Sequence, residues 1–291
     1  MSKSRFEKDI KTNLGGVMDY GEYLRLDSIL RAQKPVSSPA HHDETLFIIQ
    51  HQTSELWMKL IIHELSAAIS YIEADELESC FKILARVKHV QRMLFEQWAV
   101  LETLTPSEYM EFRDALGSAS GFQSYQFRMI EFLMGNKERD AIRVFEHKET
   151  LHKRLNNVLE SPSLYDEFLR HLARQGKSIP SEVIVRDWSQ PYDLNDQVVE
   201  VFREIYENPH DNWNAYEMAE KLVDIDQHMS MWRYRHMLTV ERIIGYRQGT
   251  GGSSGVSFLR KAVDIRLFPE LWAVRTSIRA PREPDRKSVH S

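Results

Sequence analysis

Two histidines sit where helical periodicity places apolar core residues. In WRYRHMLTVERIIG, Met229, Trp232, His236, Val240 and Ile243 recur at three- or four-residue spacing, one face of a 3.6-residue period. In FIIQHQTSELWMKLIIHEL, Phe47, His51, Ser54, Met58 and Ile62 share a face in the same way. An imidazole set among apolar groups is either a hydrogen-bonded core residue or a ligand or catalyst, and spacing alone does not choose. The ligand alternative has a definite chemistry: a neutral imidazole can hold ferrous haem from one side while a second histidine and polar groups shape the other. His236 and His51 could divide those roles.

Other metal chemistries fare worse against spacing. A zincin needs a second histidine four residues after the first, and His63-Glu64 is followed at that position by Ala67. A di-iron bundle needs two Glu-x-x-His pairs; the chain offers Glu149/His152 and Glu207/His210, the second interrupted by Pro209. His41-His42-Asp43-Glu44 follows Ser37-Ser38-Pro39 at a helix start, where acidic groups complement the helix dipole. Tyr109 and Arg113, four apart, project a phenol and a guanidinium from one side of a helix. Such a pair either grips a carboxylate or is a solvated arginine lying over a ring. Tyr20, Tyr23, Leu24 and Asp27 form an aromatic stripe that, taken alone, reads as core packing.

These residues need long helices to position them. Glycine (12) and proline (10) are scarce in 291 residues, which favours an all-α fold. Expected helices cover 18–33, 41–74, 76–104, 122–134, 138–160, 163–175, 193–208, 211–247 and 256–264, with a last turn around FPELWAV. Thr105-Pro106-Ser107-Glu108 is a capping box with proline at the first helical position, so another helix starts there. Ser161-Pro162 and Asn208-Pro209 are breaks. The segment Gly249 to Gly255 is a glycine-serine loop, either a linker or a moving part. Residues 1–17 and 279–291 are polar tails flanking a single domain over 18–278.

A net charge of -5 leaves no basic excess for nucleic acid or a membrane surface. No window approaches the apolar length of a spanning helix. A single cysteine, Cys80, forms no internal disulfide, and MSKSRFEKDI lacks an apolar signal-peptide stretch, so the expected compartment is the cytoplasm.

The stretches YGEYLRLDSIL, HHDETLFIIQHQTSELWMKL, EQWAVLETLTPSEYMEFRDALGSASGFQS, WRYRHMLTVERIIG and GTGGSSG together carry a resemblance to the bacterial tryptophan 2,3-dioxygenases, extending from about Met18 to Ile278. That resemblance implies a haem b enzyme, ferrous when active, that opens the indole ring of L-tryptophan with O2 to give N-formylkynurenine. It implies His236 as the proximal iron ligand and His51 on the distal side near the indole N–H. Arg113 would bind the substrate carboxylate, Thr250 would reach the ammonium and carboxylate end, and Phe47 with Tyr109 would wall the pocket. Ser120 and Gly121 would lie beside the haem. Tyr20, Tyr23 and Leu24 would complete the pocket of a neighbouring subunit in a homotetramer. A haem carrier or oxygen sensor would need His236 but have no use for Arg113 or Thr250. The related indoleamine dioxygenases lack the distal histidine, so His51 argues against them.

Overall fold

The computed structural model describes residue 7 and residues 9–279; the expected C-terminal tail, Arg279 apart, and most of residues 1–8 lie outside the described residues. All regular structure among the described residues is helical. Where one helix is expected over 18–33 there are two, α1 (Tyr20–Leu24) and α2 (Leu26–Leu30). Arg25 between them takes φ 54° and ψ 41°, a left-handed conformation that ends the first helix. Asp19 caps α1 by accepting from the Glu22 N–H at 2.8 Å. Tyr20 and Tyr23 are 74% and 72% exposed, which overturns core packing within this chain as the account of the N-terminal stripe.

The long helix α3 (His42–Glu73) matches its expected span. Glu44 in its first turn does more than complement the dipole: its buried carboxylate accepts from the backbone N–H groups of Val36 and Ser37, at 2.6 and 3.0 Å, and pins the preceding linker. The span 76–104 divides into α4 (Leu77–Glu96) and α5 (Trp98–Leu101). The chain tightens into an i→i+3 turn at Gln97, where the Val100 N–H donates to the Gln97 carbonyl at 3.1 Å. The capping box opens α6 (Pro106–Arg113) as expected, with Thr105 N–H donating to Glu108 at 2.8 Å and Glu108 N–H to Thr105 Oγ1 at 3.4 Å.

A 3-10 turn (Gly121–Gln123) precedes α7 (Tyr125–Leu133), and another (Arg139–Phe145) precedes α8 (Glu149–Leu159). Then follow α9 (Leu164–Arg174), a short α10 (Ser181–Ile184) that periodicity does not reveal, and α11 (Asp196–Glu207). The chain ends in α12 (Trp213–Ile244), α13 (Val256–Val263) and α14 (Pro269–Ala273).

Helix α4 packs against both α3 and α12, α7 and α9 rest on α3, and α13 folds back on α12. The main core gathers Ile61, Leu65 and Ile72 of α3, Leu84 and Val87 of α4, Leu222 and Ile225 of α12, and Phe132, Phe168 and Phe202. Burying each such side chain contributes roughly 1.5–3 kcal/mol. A second, smaller cluster of Trp98, Leu101, Leu104, Tyr109, Phe112 and Ile243 joins α5, α6 and the end of α12, and Phe47 and Trp232 pack on it. Among the described residues no helix is long and apolar enough to cross a membrane.

Candidate active site

The smaller cluster lies among the candidate residues. His236 lies on α12 with its ring stacked on the Trp98 indole, centroids 4.8 Å apart and planes 10° from parallel, and the Trp232 ring is 5.3 Å away. Neither nitrogen of His236 has a hydrogen-bond partner among the described residues. Burial, with the neighbouring His51 adding to it, pushes the His236 imidazole down to about 4, so it is neutral at pH 7 with a lone pair to offer.

His51, on α3, is held differently. Its Nδ1 lies 2.7 Å from the Phe47 carbonyl, which can only accept, so Nδ1 carries the proton and Nε2 is an acceptor. Burial depresses its basicity, with the Phe47 carbonyl and Glu55 acting in the opposite direction. The two imidazoles are near enough to feel each other's charge, so α3 and α12 each bring one of them to the same region.

Phe47 stacks obliquely on His51 at 4.2 Å and meets Tyr109 and Phe112 at 5.8 and 5.6 Å. Tyr109 and Arg113 do act together: burial raises the phenol, and the neighbouring guanidinium works against that rise. Arg113 is not a solvated surface residue. One terminal nitrogen donates to the Gln248 carbonyl at 2.8 Å, and its Nε is buried without a partner among the described residues. A buried, unpaired guanidinium donor costs free energy unless something accepts from it.

The glycine loop is folded against this rim. Gly245 terminates α12 at φ 61°. Gly249 N–H donates to the Ser253 carbonyl at 3.0 Å, and Gln248 Nε2 to the Gly252 carbonyl at 2.9 Å. Thr250 Oγ1 donates to the Ala119 carbonyl at 2.6 Å. Gly251 approaches so closely that a Cβ there would stand 2.7 Å from the Ser120 Cβ. Ser120 caps the turn that begins at Gly121 by accepting from Phe122 N–H at 3.3 Å, and a Cβ at Gly121 would meet no other described atom within 4 Å.

Phe47, His51, Tyr109, Arg113 and His236 therefore converge, and Thr250, Ser120 and Gly121 form the adjoining rim. Tyr20, Tyr23 and Leu24 do not join them within the chain, because α1 packs chiefly on α2. Trp98 is a site residue that periodicity misses: it lies in the EQWAVLETL stretch, but its contact with His236 crosses between helices and leaves no spacing signal.

The residues fit a haem. Among the described residues no group of three or more His, Cys, Asp or Glu gathers to hold a metal ion, so the Glu-x-x-His pairs assemble no di-iron site. A lone neutral histidine suits a metal whose other ligands come from a macrocycle. Its surroundings, Trp98 and Trp232, are flat and apolar, and both indole N–H groups are buried without partners.

Comparison with known proteins agrees. The sequence profile of the tryptophan 2,3-dioxygenase family matches residues 6–205 and 200–278. The chain is 62% identical to the tryptophan 2,3-dioxygenase of Myxococcus xanthus (strain DK1622), over 97% of each chain. It is 59% identical to that of Serratia proteamaculans (strain 568), over 96% of this chain and 100% of the other. It is 56% identical to that of Saccharopolyspora erythraea, over 94% and 97%.

Proposed function

Because the chain belongs to the tryptophan 2,3-dioxygenase family, we propose that His236, His51, Arg113 and Thr250 carry its haem-dependent opening of tryptophan to N-formylkynurenine. The observation that carries this assignment is the pair of neighbouring neutral imidazoles on two different helices, one stacked on Trp98 with no hydrogen-bond partner among the described residues, the other with its acceptor nitrogen free among them. Bound haem, taken as haem b in its ferrous form, supplies the iron at which dioxygen is activated for cleavage of the indole C2=C3 bond. Both oxygen atoms enter the product and no external reductant is consumed.

The chain's own groups bind, orient and shield. His236 is the iron ligand, and Ser120 and Gly121 border the macrocycle. His51 Nε2 accepts from the indole N–H because Nδ1–H is committed to the Phe47 carbonyl. Its depressed basicity keeps it in that acceptor form at neutral pH. Its work is orientation, so its loss slows turnover without abolishing it. The unpaired Arg113 Nε, with the remaining terminal donors, faces the substrate carboxylate. The Thr250 hydroxyl spends its proton on Ala119 and so meets the ammonium group as an acceptor. Phe47 and Tyr109 wall the indole, and the folded glycine loop excludes water.

Tyr20, Tyr23 and Leu24 complete the pocket of a neighbouring subunit in a homotetramer. The support is their place on a helical pair that leaves two tyrosines about three-quarters exposed, at 74% and 72%, a costly surface for an isolated chain. Residues 18–278 form the single catalytic unit. Incubating the ferrous, haem-loaded protein with L-tryptophan and O2 yields the absorbance of N-formylkynurenine; a haem carrier or sensor yields none. His236→Ala gives a soluble helical protein without tightly bound haem, and retention of stoichiometric haem with an unchanged ferrous spectrum would reassign the ligand.

A further inference from the structure

Helix α5 is a single turn of four residues, too short to hold its own position in water. Yet it carries Trp98, whose ring lies flat on His236. Both of its ends are tied, and to different helices. At its start, Gln97 Nε2 donates to Ser54 Oγ at 2.6 Å, and Gln97 Oε1 lies 3.3 Å from Thr53 Oγ1, whose single proton also has the Ile49 and Gln50 carbonyls within 3.0 Å. Thr53 and Ser54 lie on α3, two and three residues after His51. At its end, Glu102 accepts from Arg235 Nε and Nη2 at 3.1 and 2.9 Å, and its Oε1 lies 3.0 Å from Thr239 Oγ1, whose proton it shares with the Arg235 carbonyl at 2.9 Å. Those partners lie on α12 and bracket His236, one residue before it and three after.

The Glu102 ties are well made. Thr239 is 1% exposed, and the Arg235 guanidinium also lies over the Phe95 ring at 4.9 Å. A bidentate arginine-carboxylate pair fixes orientation as well as distance. Neither end of α5 is tied only to its own helix, so the turn spans from the helix of one imidazole to the helix of the other.

We propose that Gln97 and Glu102 are positioning residues: through the two ends of α5 they set the span between the helices carrying His51 and His236 and hold Trp98 flat against the proximal imidazole. The proposal rests on the assignment of those two histidines to opposite faces of a haem. Gln97 governs the distal side through α3, and Glu102 the proximal side through Trp98 and α12. Removing the Glu102 carboxylate frees the Trp98 turn to tilt, and the His236 ring loses the surface that fixes its plane.

The test uses Glu102→Ala, Glu102→Gln, Gln97→Ala and Gln97→Ala/Glu102→Ala in the full-length protein. Haem affinity is measured by titrating haem-free protein, the iron-histidine stretch of the ferrous form by resonance Raman, and the bound carbonyl stretch by infrared on the ferrous carbon monoxide complex. Circular dichroism reports folding. Glu102→Ala is expected to weaken haem binding roughly ten-fold or more, as loss of a group orienting a metal ligand does, and to shift or broaden the iron-histidine band. Gln97→Ala is expected to move the carbonyl stretch with little change in the iron-histidine band. The double variant should lose more haem affinity than the two single losses combined, because α5 then has no tie at either end.

Glu102→Gln, which keeps an oxygen for Thr239, should fall between Glu102→Ala and the parent. If Glu102→Ala fails to fold, the same measurements on Glu102→Gln decide. Native haem affinity and an unmoved iron-histidine band, even with a lowered melting temperature, would reduce Glu102 to a stability role and overturn the proposal. The ligand assignment itself fails separately: it falls if His236→Ala keeps haem, whereas a haem-free His236→Ala beside an unaffected Glu102→Ala removes only the positioning role of Glu102.

Discussion

Replacing Arg113 with leucine keeps side-chain bulk and helix propensity at the end of α6 while deleting the forked donor. Two interactions are then lost. One is visible: the 2.8 Å bond to the Gln248 carbonyl, a neutral acceptor at an exposed loop, worth about 1 kcal/mol or less. The other is the pairing of the substrate carboxylate with a guanidinium whose Nε is already buried and unpartnered. Leaving one member of a buried charge pair alone costs on the order of 2–5 kcal/mol. Arg113 is only half-buried, so the lower end applies, about 2 kcal/mol, or roughly thirty-fold in kcat/KM for L-tryptophan on top of the loss from the loop bond. Tryptamine has no carboxylate and registers only the loop bond, so its loss should stay within roughly five-fold. Steady-state formation of ring-opened product from both substrates, with both proteins, completes the cycle. Equal losses for the two substrates would mean that Arg113 acts through the loop or the haem, and the carboxylate assignment would be abandoned.

Three further outcomes are expected. Gly251→Ala places a Cβ 2.7 Å from the Ser120 Cβ, so the loop cannot rest on the 118–121 segment; KM for tryptophan should rise several-fold with an unchanged haem spectrum, and an unchanged KM would show that the loop need not dock there. His236 titrates near 4 in the folded chain against an ordinary 6.5, so an unfolded chain binds a proton that the native state refuses. Stability of the haem-free protein should therefore be full above about pH 6.5 and fall as the pH drops toward about 4. Urea midpoints across that range should show a shallower slope for His236→Leu, and identical slopes would place the proton uptake elsewhere. Deleting residues 1–30 should weaken tryptophan binding more than haem binding and lower the mass seen in light scattering, whereas a smaller oligomer with native tryptophan affinity would refute the shared pocket.

The helical class, the start of α6 and the faces on which His51 and His236 lie are legible from local residue patterns alone. Those features depend on residues within a few positions of one another: a capping box closes on itself between Thr105 and Glu108, and a 3.6-residue period is readable wherever one face must be buried. The long family stretches added roles to residues that spacing alone left open, since Tyr109 and Arg113 had two equally sound accounts. Local rules misplaced what neighbours decide. The helix expected over 18–33 breaks at Arg25, whose left-handed backbone no propensity announces. The helix expected over 76–104 tightens at Gln97, whose side chain is held by Ser54 on α3. Only the tertiary structure set Trp98 on His236, turned the Thr250 hydroxyl toward Ala119, and left Arg113 Nε buried without a partner. Each of these joins residues far apart in the chain, where the energy of a contact depends on how whole helices pack and on which polar groups that packing cuts off from water.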